Sequence, residues 1–92
     1  MKIQAEVSLY PLRIRELSDP IVRFCEILRS HGLDVQTRSM STLAAGESND
    51  LFGALQDGFE RLAQENQLVM DVKISNACPD TAKQNAEIER MD

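Results

Sequence analysis

Two segments of the chain alternate apolar and polar residues, and each leads up to a proline, Pro11 or Pro79. Because successive side chains of a β-strand point to opposite faces, each segment predicts a strand with one apolar and one polar face. The apolar faces carry Ile3, Ala5, Val7 and Leu9 in the first segment and Leu68, Met70, Val72 and Ile74 in the second. The polar faces carry Gln4, Glu6, Ser8 and Tyr10, and then Asp71, Lys73 and Ser75. We expect the apolar faces to pack in the core and the polar faces to carry the functional site.

Two helices are predicted between these strands. The first begins at Ser18-Asp19-Pro20, where a capping residue precedes proline at the first helical position, and ends before Gly32. Its buried stripe, at spacings i, i+3, i+4 and i+7, is Ile21, Phe24, Cys25 and Leu28. The second runs over about Asp50–Glu65, after a turn cluster at 46–50. Its predicted inner face is Phe52, Leu55, Phe59 and Leu62. Gly53 and Gly58 inside it predict close packing of the helix on the sheet.

Two shorter strands, at about 34–39 and 41–45, complete the order strand, helix, strand, strand, helix, strand. Right-handed crossovers place both helices on one face of an antiparallel sheet. The prediction is therefore an α+β domain, a ferredoxin-like βαββαβ sandwich with a four-stranded antiparallel sheet and two helices on one face. The domain is expected over residues 1–79, and residues 80–92 are expected to form a polar C-terminal tail.

Composition narrows the class of partner. The chain has 92 residues, with ten Lys and Arg against fifteen Asp and Glu, so its net charge is −5. Nucleic acid is not expected as a partner, because neutralising phosphates requires clustered basic groups. No apolar run is long enough to span a membrane, and the N-terminus lacks the apolar stretch of a signal peptide, so we expect a cytoplasmic location and no membrane partner.

Residues with catalytic potential are few. Cys25 and Cys78 have no metal-type spacing, and Cys25 lies on the apolar stripe of the first predicted helix. His31, the only histidine, stands beside Gly32 and is expected to be a surface cap rather than a catalytic base. Nucleophilic catalysis requires Ser or Cys beside a positioned base, and the sequence shows no such signature. We therefore expect no enzymatic activity, no cofactor and no bound metal.

Three blocks of the sequence also resemble a known family. They are residues 7–12, Met40-Ser41-Thr42 followed by Gly46, and residues 74–79. In this order and spacing they resemble the thiamine-binding, YkoF-like family, and the resemblance covers residues 3–79. It implies a ferredoxin-like fold and a non-enzymatic protein that binds thiamine or its hydroxymethylpyrimidine part. It also implies a homodimer or homotetramer assembled through the open sheet faces.

The candidate ligand-binding residues come from the family resemblance and from the chemistry of the polar strand faces. The resemblance places Ser8, Tyr10, Met40, Thr42, Ser75 and Asn76 at family-typical positions. Glu6 and Asp71 are added because a carboxylate can pair with the thiazolium cation of thiamine or accept a hydrogen bond from its amino group. The alternatives are structural: the carboxylates pair with Lys73 or Arg38, Tyr10 is an interface aromatic, and Ser75-Asn76 serve a turn.

Three functions remain open at this point. The first is binding of thiamine or a related pyrimidine on the open sheet face near a subunit interface, without bond chemistry. The second is a structural module that only oligomerises through that face. The third, an enzyme of thiamine salvage, is the least favoured because no catalytic spacing is present.

Overall fold

The computed structural model describes residues 1–13 and 18–77, and within these residues it has four strands and two helices. In chain order the elements are β1 (Lys2–Leu12), α1 (Ser18–Ser30), β2 (Asp34–Thr37), β3 (Thr42–Glu47), α2 (Ser48–Ala63) and β4 (Gln67–Ser75). Cys78 and the predicted tail at 80–92 lie outside the described residues, as does the 14–17 part of the connection after β1.

The four strands form one antiparallel sheet in the order β2-β3-β1-β4. The core lies between the sheet and the two helices. It contains Ile3, Ala5 and Val7 of β1, Phe24 and Leu28 of α1, Ala44 of β3, and Leu51, Leu55 and Leu62 of α2. This is the predicted ferredoxin-like α+β arrangement, and the prediction is confirmed. Among the described residues, no helix has both the length and the apolarity to cross a membrane.

The first helix has the predicted apolar stripe. Phe24, Cys25 and Leu28 are buried, and Ile21 is half-buried. The helix ends where the N–H of Gly32 donates to the Arg29 carbonyl at 2.9 Å. Gly32 then takes a φ of +81°, the left-handed conformation in which glycine ends a helix without steric cost.

No turn separates β3 from α2. The predicted turn cluster at 46–50 is wrong, because β3 continues to Glu47 and α2 begins at Ser48. The N–H of Ser48 donates to the carbonyl of Met1, the residue before β1, at 2.8 Å, which satisfies a donor that a helix start leaves unpaired. Asn49 and Asp50, which suggested a turn, lie in the first turn of the helix instead.

The buried face of α2 also differs from the prediction. Its buried residues are Leu51, Ala54, Leu55, Gly58 and Leu62, whereas Phe52 is 54% exposed and Phe59 only half-buried. The close packing expected of the glycines holds for Gly58, where an added Cβ would lie 2.7 Å from the ring of Phe24. At Gly53 the nearest atom to such a Cβ would be His31 Nδ1 at 4.0 Å, so no close approach requires that glycine.

His31 joins the two helices and is not a free surface cap. Its Nε2 lies 2.8 Å from Oδ2 of Asp57, and Nε of Arg61 donates to Oδ1 of the same carboxylate at 2.8 Å. The hydrogen bond with His31, assisted by Arg61, holds the pKa of Asp57 below its usual value. The end of α1 is thereby tied to the middle of α2.

Candidate ligand site on the open sheet face

The strand register brings polar side chains of β1, β2 and β4 together on the sheet face opposite the helices, hereafter the open face. Directly opposed residues share a face, so the pairing defines rows across the sheet. Glu6 lies between Leu43 and Lys73, Gln4 lies between Ala45 and Ser75, Ser8 is opposite Asp71, and Tyr10 is opposite Val69. In β2, Gln36 extends the row of Glu6 and Asp34 extends the row of Gln4.

Glu6 and Ser8 are held near the β2–β3 connection. Ser41 Oγ donates to Oε2 of Glu6 at 3.4 Å, and Ser8 Oγ donates to the Met40 carbonyl at 3.3 Å. These two contacts place Met40 and Ser41 beside the middle of β1. The contacts therefore bring three of the predicted site residues, Glu6, Ser8 and Met40, close together in the structure.

The carboxylates of this face remain accessible. Glu6 and Asp71 are exposed, and within the described residues neither is in an ion pair. Arg38, one of their alternative partners, donates instead to the side-chain oxygen of Gln36 at 3.3 Å. The charge of both carboxylates is available to a cation or to an amino group.

An apolar patch adjoins the carboxylates at the end of the sheet where β1 finishes. Tyr10 is 52% exposed and its opposite neighbour Val69 is 50% exposed. Met40 is 85% exposed and Leu12 43%. The ring of Tyr10 thus offers a free apolar surface with a hydroxyl at its tip, suited either to a flat ring or to a protein surface.

A groove of about 270 Å³ lies on the other side of Glu6. The side chains that line it on the open face are Gln4, Asp34, Gln36, Leu43 and Ala45. Its floor is apolar, and its rim has two amides and a carboxylate, so it can both donate and accept hydrogen bonds. Sequence reasoning did not select these residues. The alternation of Asp34 and Gln36 in β2 was a usable signal, but Leu43 and Ala45 are apolar on an open face and break the expected pattern.

The three remaining candidates are Thr42, Ser75 and Asn76. Thr42 is buried on the helix side of the sheet, with Oγ1 at 3.8 Å from Cys25 Sγ, so the structure separates it from the open face. Ser75 Oγ accepts from the Ala77 N–H at 3.0 Å, which is the turn role that sequence reasoning offered as its alternative. Asn76 is exposed directly after the end of β4.

The chemistry available on the open face is recognition by hydrogen bonds, charge and apolar contact. Over residues 1–13 and 18–77 no group of three or more His, Cys, Asp or Glu side chains is arranged to hold a metal ion. The one cysteine in this part of the chain, Cys25, is buried in the core.

Solved structures share this fold over nearly the whole chain. A hypothetical protein of Methanocaldococcus jannascii has 22% sequence identity and a TM-score of 0.82, with 96% of each chain covered. A protein of Thermotoga maritima, proposed to act in thiamine biosynthesis or salvage, has 19% identity and a TM-score of 0.76, with 98% of this chain and 100% of that chain covered. A protein of Streptococcus pneumoniae has 20% identity and a TM-score of 0.75, with 97% and 99% covered.

These distant structures show the fold alone, and sequence comparison is needed to identify the family. A comparison with curated proteins found no match. The model of the YkoF-related family matches residues 2–81, which is most of the 92 residues and includes all three blocks that first suggested it, at 7–12, 40–46 and 74–79. On that match, the chain belongs to the YkoF-related family.

Proposed function

We propose that this protein binds thiamine or its hydroxymethylpyrimidine part on the open face, near a subunit interface, without bond chemistry. The proposed role is sequestration or delivery by a cytoplasmic homodimer or homotetramer that has no nucleic-acid or membrane partner. Two findings support a thiamine-related ligand: membership of the YkoF-related family and likeness to a protein proposed to act in thiamine biosynthesis or salvage.

The observation that carries the proposal is the groove beside Glu6. Leu43 lines the groove and is the direct cross-strand neighbour of Glu6, so an apolar floor, two amides and an accessible carboxylate adjoin one another. An aminopyrimidine has a flat ring with donor and acceptor edges, which glutamine amides can match. Thiamine adds a cationic thiazolium ring, which a carboxylate can pair with.

Seven of the predicted residues remain in the proposed site or at its border. Glu6 and Asp71 supply charge, Ser8 supplies a hydroxyl, and Tyr10 and Met40 supply apolar surface. Ser75 and Asn76 stand at the end of β4 next to the row of Gln4. Gln4 and Gln36 are added because they line the groove, and Thr42 is left out because it lies under the sheet.

Calorimetric titration with thiamine, repeated with free hydroxymethylpyrimidine, tests the proposal. Saturable heat is expected at one site per chain, or one per two chains if the site straddles an interface. Tyr10→Ala is expected to weaken binding by about three- to tenfold, the equivalent of an aromatic stacking contact. Glu6→Gln is expected to weaken thiamine binding by about tenfold or more, since a charge-assisted contact is lost.

The two ligands separate the roles of Glu6. If Glu6 pairs with the thiazolium cation, Glu6→Gln weakens the binding of thiamine and leaves the binding of free hydroxymethylpyrimidine unchanged. If Glu6 accepts a hydrogen bond from the amino group, the binding of both ligands is weakened.

Phe52→Ala is the matched control for Tyr10→Ala. Phe52, on α2, is 54% exposed, and Tyr10, on the open face, is 52% exposed. Glu60→Gln on α2 is the control for Glu6→Gln.

A purely oligomeric module is the second candidate, and the apolar patch of Tyr10, Leu12 and Val69 favours it. Exposed aromatic and aliphatic side chains on a sheet face are typical of surfaces that pack against another protein. No heat and no thermal stabilisation with either ligand at millimolar concentration would reject the binding proposal and leave this candidate.

A further inference from the structure

Strand β2 forms one wall of the groove beside Glu6. On the open face this wall consists of Asp34 and Gln36, and the floor next to it consists of their cross-strand neighbours in β3, Ala45 and Leu43. The volume of about 270 Å³ is enough for a single aromatic ring with short substituents. Two polar side chains in a row can recognise one edge of such a ring if the directions of their donors and acceptors are fixed.

The direction of the Gln36 amide is set by Arg38. Nη2 of Arg38 lies 3.3 Å from Oε1 of Gln36. A guanidinium group has only donors, so the atom of Gln36 that faces it must be the carbonyl oxygen. The two N–H donors of Gln36 are therefore on the other arm of the amide. Gln36 lines the groove and Arg38 stands outside it, so these donors are available to a ligand in the groove.

Arg38 is itself held in line with the strand. Its backbone N–H donates to the Ser41 carbonyl at 2.7 Å, so the pairing of β2 with β3 continues one residue beyond Thr37. Because alternate residues of a strand share a face, Asp34, Gln36 and Arg38 follow one another on the open face. The Gln36 amide thus has its oxygen on the side of the Arg38 cation and its N–H groups on the side of the Asp34 carboxylate.

This wall presents a hydrogen-bond donor beside an acceptor. The amide nitrogen of Gln36 donates, and the carboxylate of Asp34 accepts. The complementary ligand edge has a ring nitrogen with a free lone pair next to an exocyclic amino group. Hydroxymethylpyrimidine has this edge at its 4-amino group. Its 4-oxo analogue has a ring N–H next to a carbonyl oxygen, which is the opposite pattern.

We propose that Gln36 and Asp34 recognise the 4-amino edge of the pyrimidine ring, and that Arg38 is a positioning residue that fixes the direction of the Gln36 amide. This assignment rests on the proposed function and specifies which ring occupies the groove. The pyrimidine lies over the floor at Leu43. The thiazolium ring of thiamine is then left to Glu6, the cross-strand neighbour of Leu43 on β1.

Calorimetric titration with hydroxymethylpyrimidine and with its 4-oxo analogue tests the recognition of the edge. The unaltered protein is expected to bind the 4-amino ring about tenfold or more tightly, because the 4-oxo ring sets an N–H against a donor and an oxygen against a carboxylate. The double variant D34N/Q36E keeps one carboxylate and one amide but reverses their order. It is therefore expected to bind the 4-oxo ring more tightly than the 4-amino ring.

Arg38→Gln tests the positioning role. Without the guanidinium, the Gln36 amide can turn its oxygen toward a ring N–H, so the preference for the 4-amino ring is expected to fall to about threefold or less. Part of this fall is a gain of affinity for the 4-oxo ring, which a general loss of structure would not produce. Arg38→Lys keeps a donor to Oε1 and is expected to retain the preference. Arg29→Gln, at an exposed arginine of α1, is the matched control and is expected to change neither affinity.

Failure of this recognition can be distinguished from failure of the proposed function. Equal affinity of the unaltered protein for the two rings, or heat with thiamine and none with hydroxymethylpyrimidine, overturns the recognition of the amino edge and leaves thiamine binding in place. No heat with any of the three ligands overturns both.

The variants can overturn the proposal as well. A preference that D34N/Q36E does not reverse contradicts the roles of Asp34 and Gln36, and a preference that Arg38→Gln does not reduce contradicts the role of Arg38. Circular dichroism checks that each variant is folded, as expected for exposed positions. If the double variant is unfolded, Arg38→Gln, which lies beyond the end of β2, and the unaltered protein still decide the outcome.

Discussion

Two glycines of α2 have opposite surroundings, and they predict opposite effects of the same substitution. At Gly58 an added Cβ would meet the buried ring of Phe24 at 2.7 Å, while at Gly53 nothing lies closer than 4.0 Å. Alanine in place of glycine stabilises a helix by about 0.8–1 kcal/mol, and overpacking a core costs about 1–3 kcal/mol. We expect Gly53→Ala to raise the free energy of unfolding by about 0.5–1 kcal/mol and Gly58→Ala to lower it by about 1 kcal/mol.

Urea denaturation measures the free energy of unfolding of both variants, and each variant is the control for the other. Equal effects at the two positions would show that the backbone, and not the contact with Phe24, decides the outcome.

Thr42 gives a second prediction at the scale of single residues. It was selected with Ser8 by resemblance, but its side chain lies beneath the sheet next to Cys25. Thr42→Val keeps the shape of the side chain, and we expect the affinity for thiamine to stay within about twofold, because the hydroxyl and the open face are on opposite sides. Ser8→Ala, on the open face, is expected to lower the affinity measured by the same titration. A large loss of affinity for thiamine with Thr42→Val alone would indicate that the ligand site lies on the helix side of the sheet.

At the scale of elements, the strands were easier to predict than the second helix. β1 and β4 each have one face toward the core, so alternation alone assigned Ile3, Val7 and Met70 to one side. In α2 the sequence supports two apolar stripes, one through Phe52 and one through Leu51. The choice between them depends on Gly58, whose missing side chain makes room for Phe24, and that contact joins residues far apart in sequence.

The candidate site was predictable in part for the same reason. The polar faces of β1 and β4 alternate regularly, so Glu6, Ser8, Tyr10 and Asp71 were placed on the open face from sequence. The groove beyond Glu6 needs the register of β2 and β3, which fixes Gln36 opposite Leu43. A four-residue strand and a strand that has apolar residues on both faces contain too little alternation to predict that register.

The link between α1 and α2 predicts a dependence of stability on pH. Because the pKa of Asp57 is lowered in the folded protein, its contribution to stability is fully present above the ordinary pKa that this carboxyl has in the unfolded chain. The contribution is lost as the pH falls through the lower, folded pKa. We therefore expect Asp57→Asn to lower the Tm at pH 6, and the difference from the unaltered protein to disappear near the acid end of a Tm series. Glu60→Gln, an exposed change in the same helix, is expected to leave the Tm nearly unchanged.

At the scale of the whole molecule, a ligand that binds only the folded state must raise the free energy of unfolding. Ligand at about 100 times its dissociation constant adds about 2.7 kcal/mol to the free energy of unfolding. For a domain of this size that is a rise in Tm of about 10–20 °C. Thermal denaturation with thiamine, at constant protein concentration, measures the shift. Tyr10→Ala is expected to show a smaller shift than Phe52→Ala at the same thiamine concentration, and equal shifts would contradict the position of the site.

The central position of β1 has a consequence for how the chain folds. β1 pairs with β3 on one side and with β4 on the other, and the pairing of Gln4 with Ser75 joins residues 71 positions apart. Such contacts require large loops to close before they stabilise anything, so folding is expected to be slower than in a helical protein of equal length. During synthesis one side of β1 stays without its neighbour until β4 has left the ribosome. β4, the last strand among the described residues, therefore gives β1 its second neighbour and covers the edge of β1 that is open to aggregation until then.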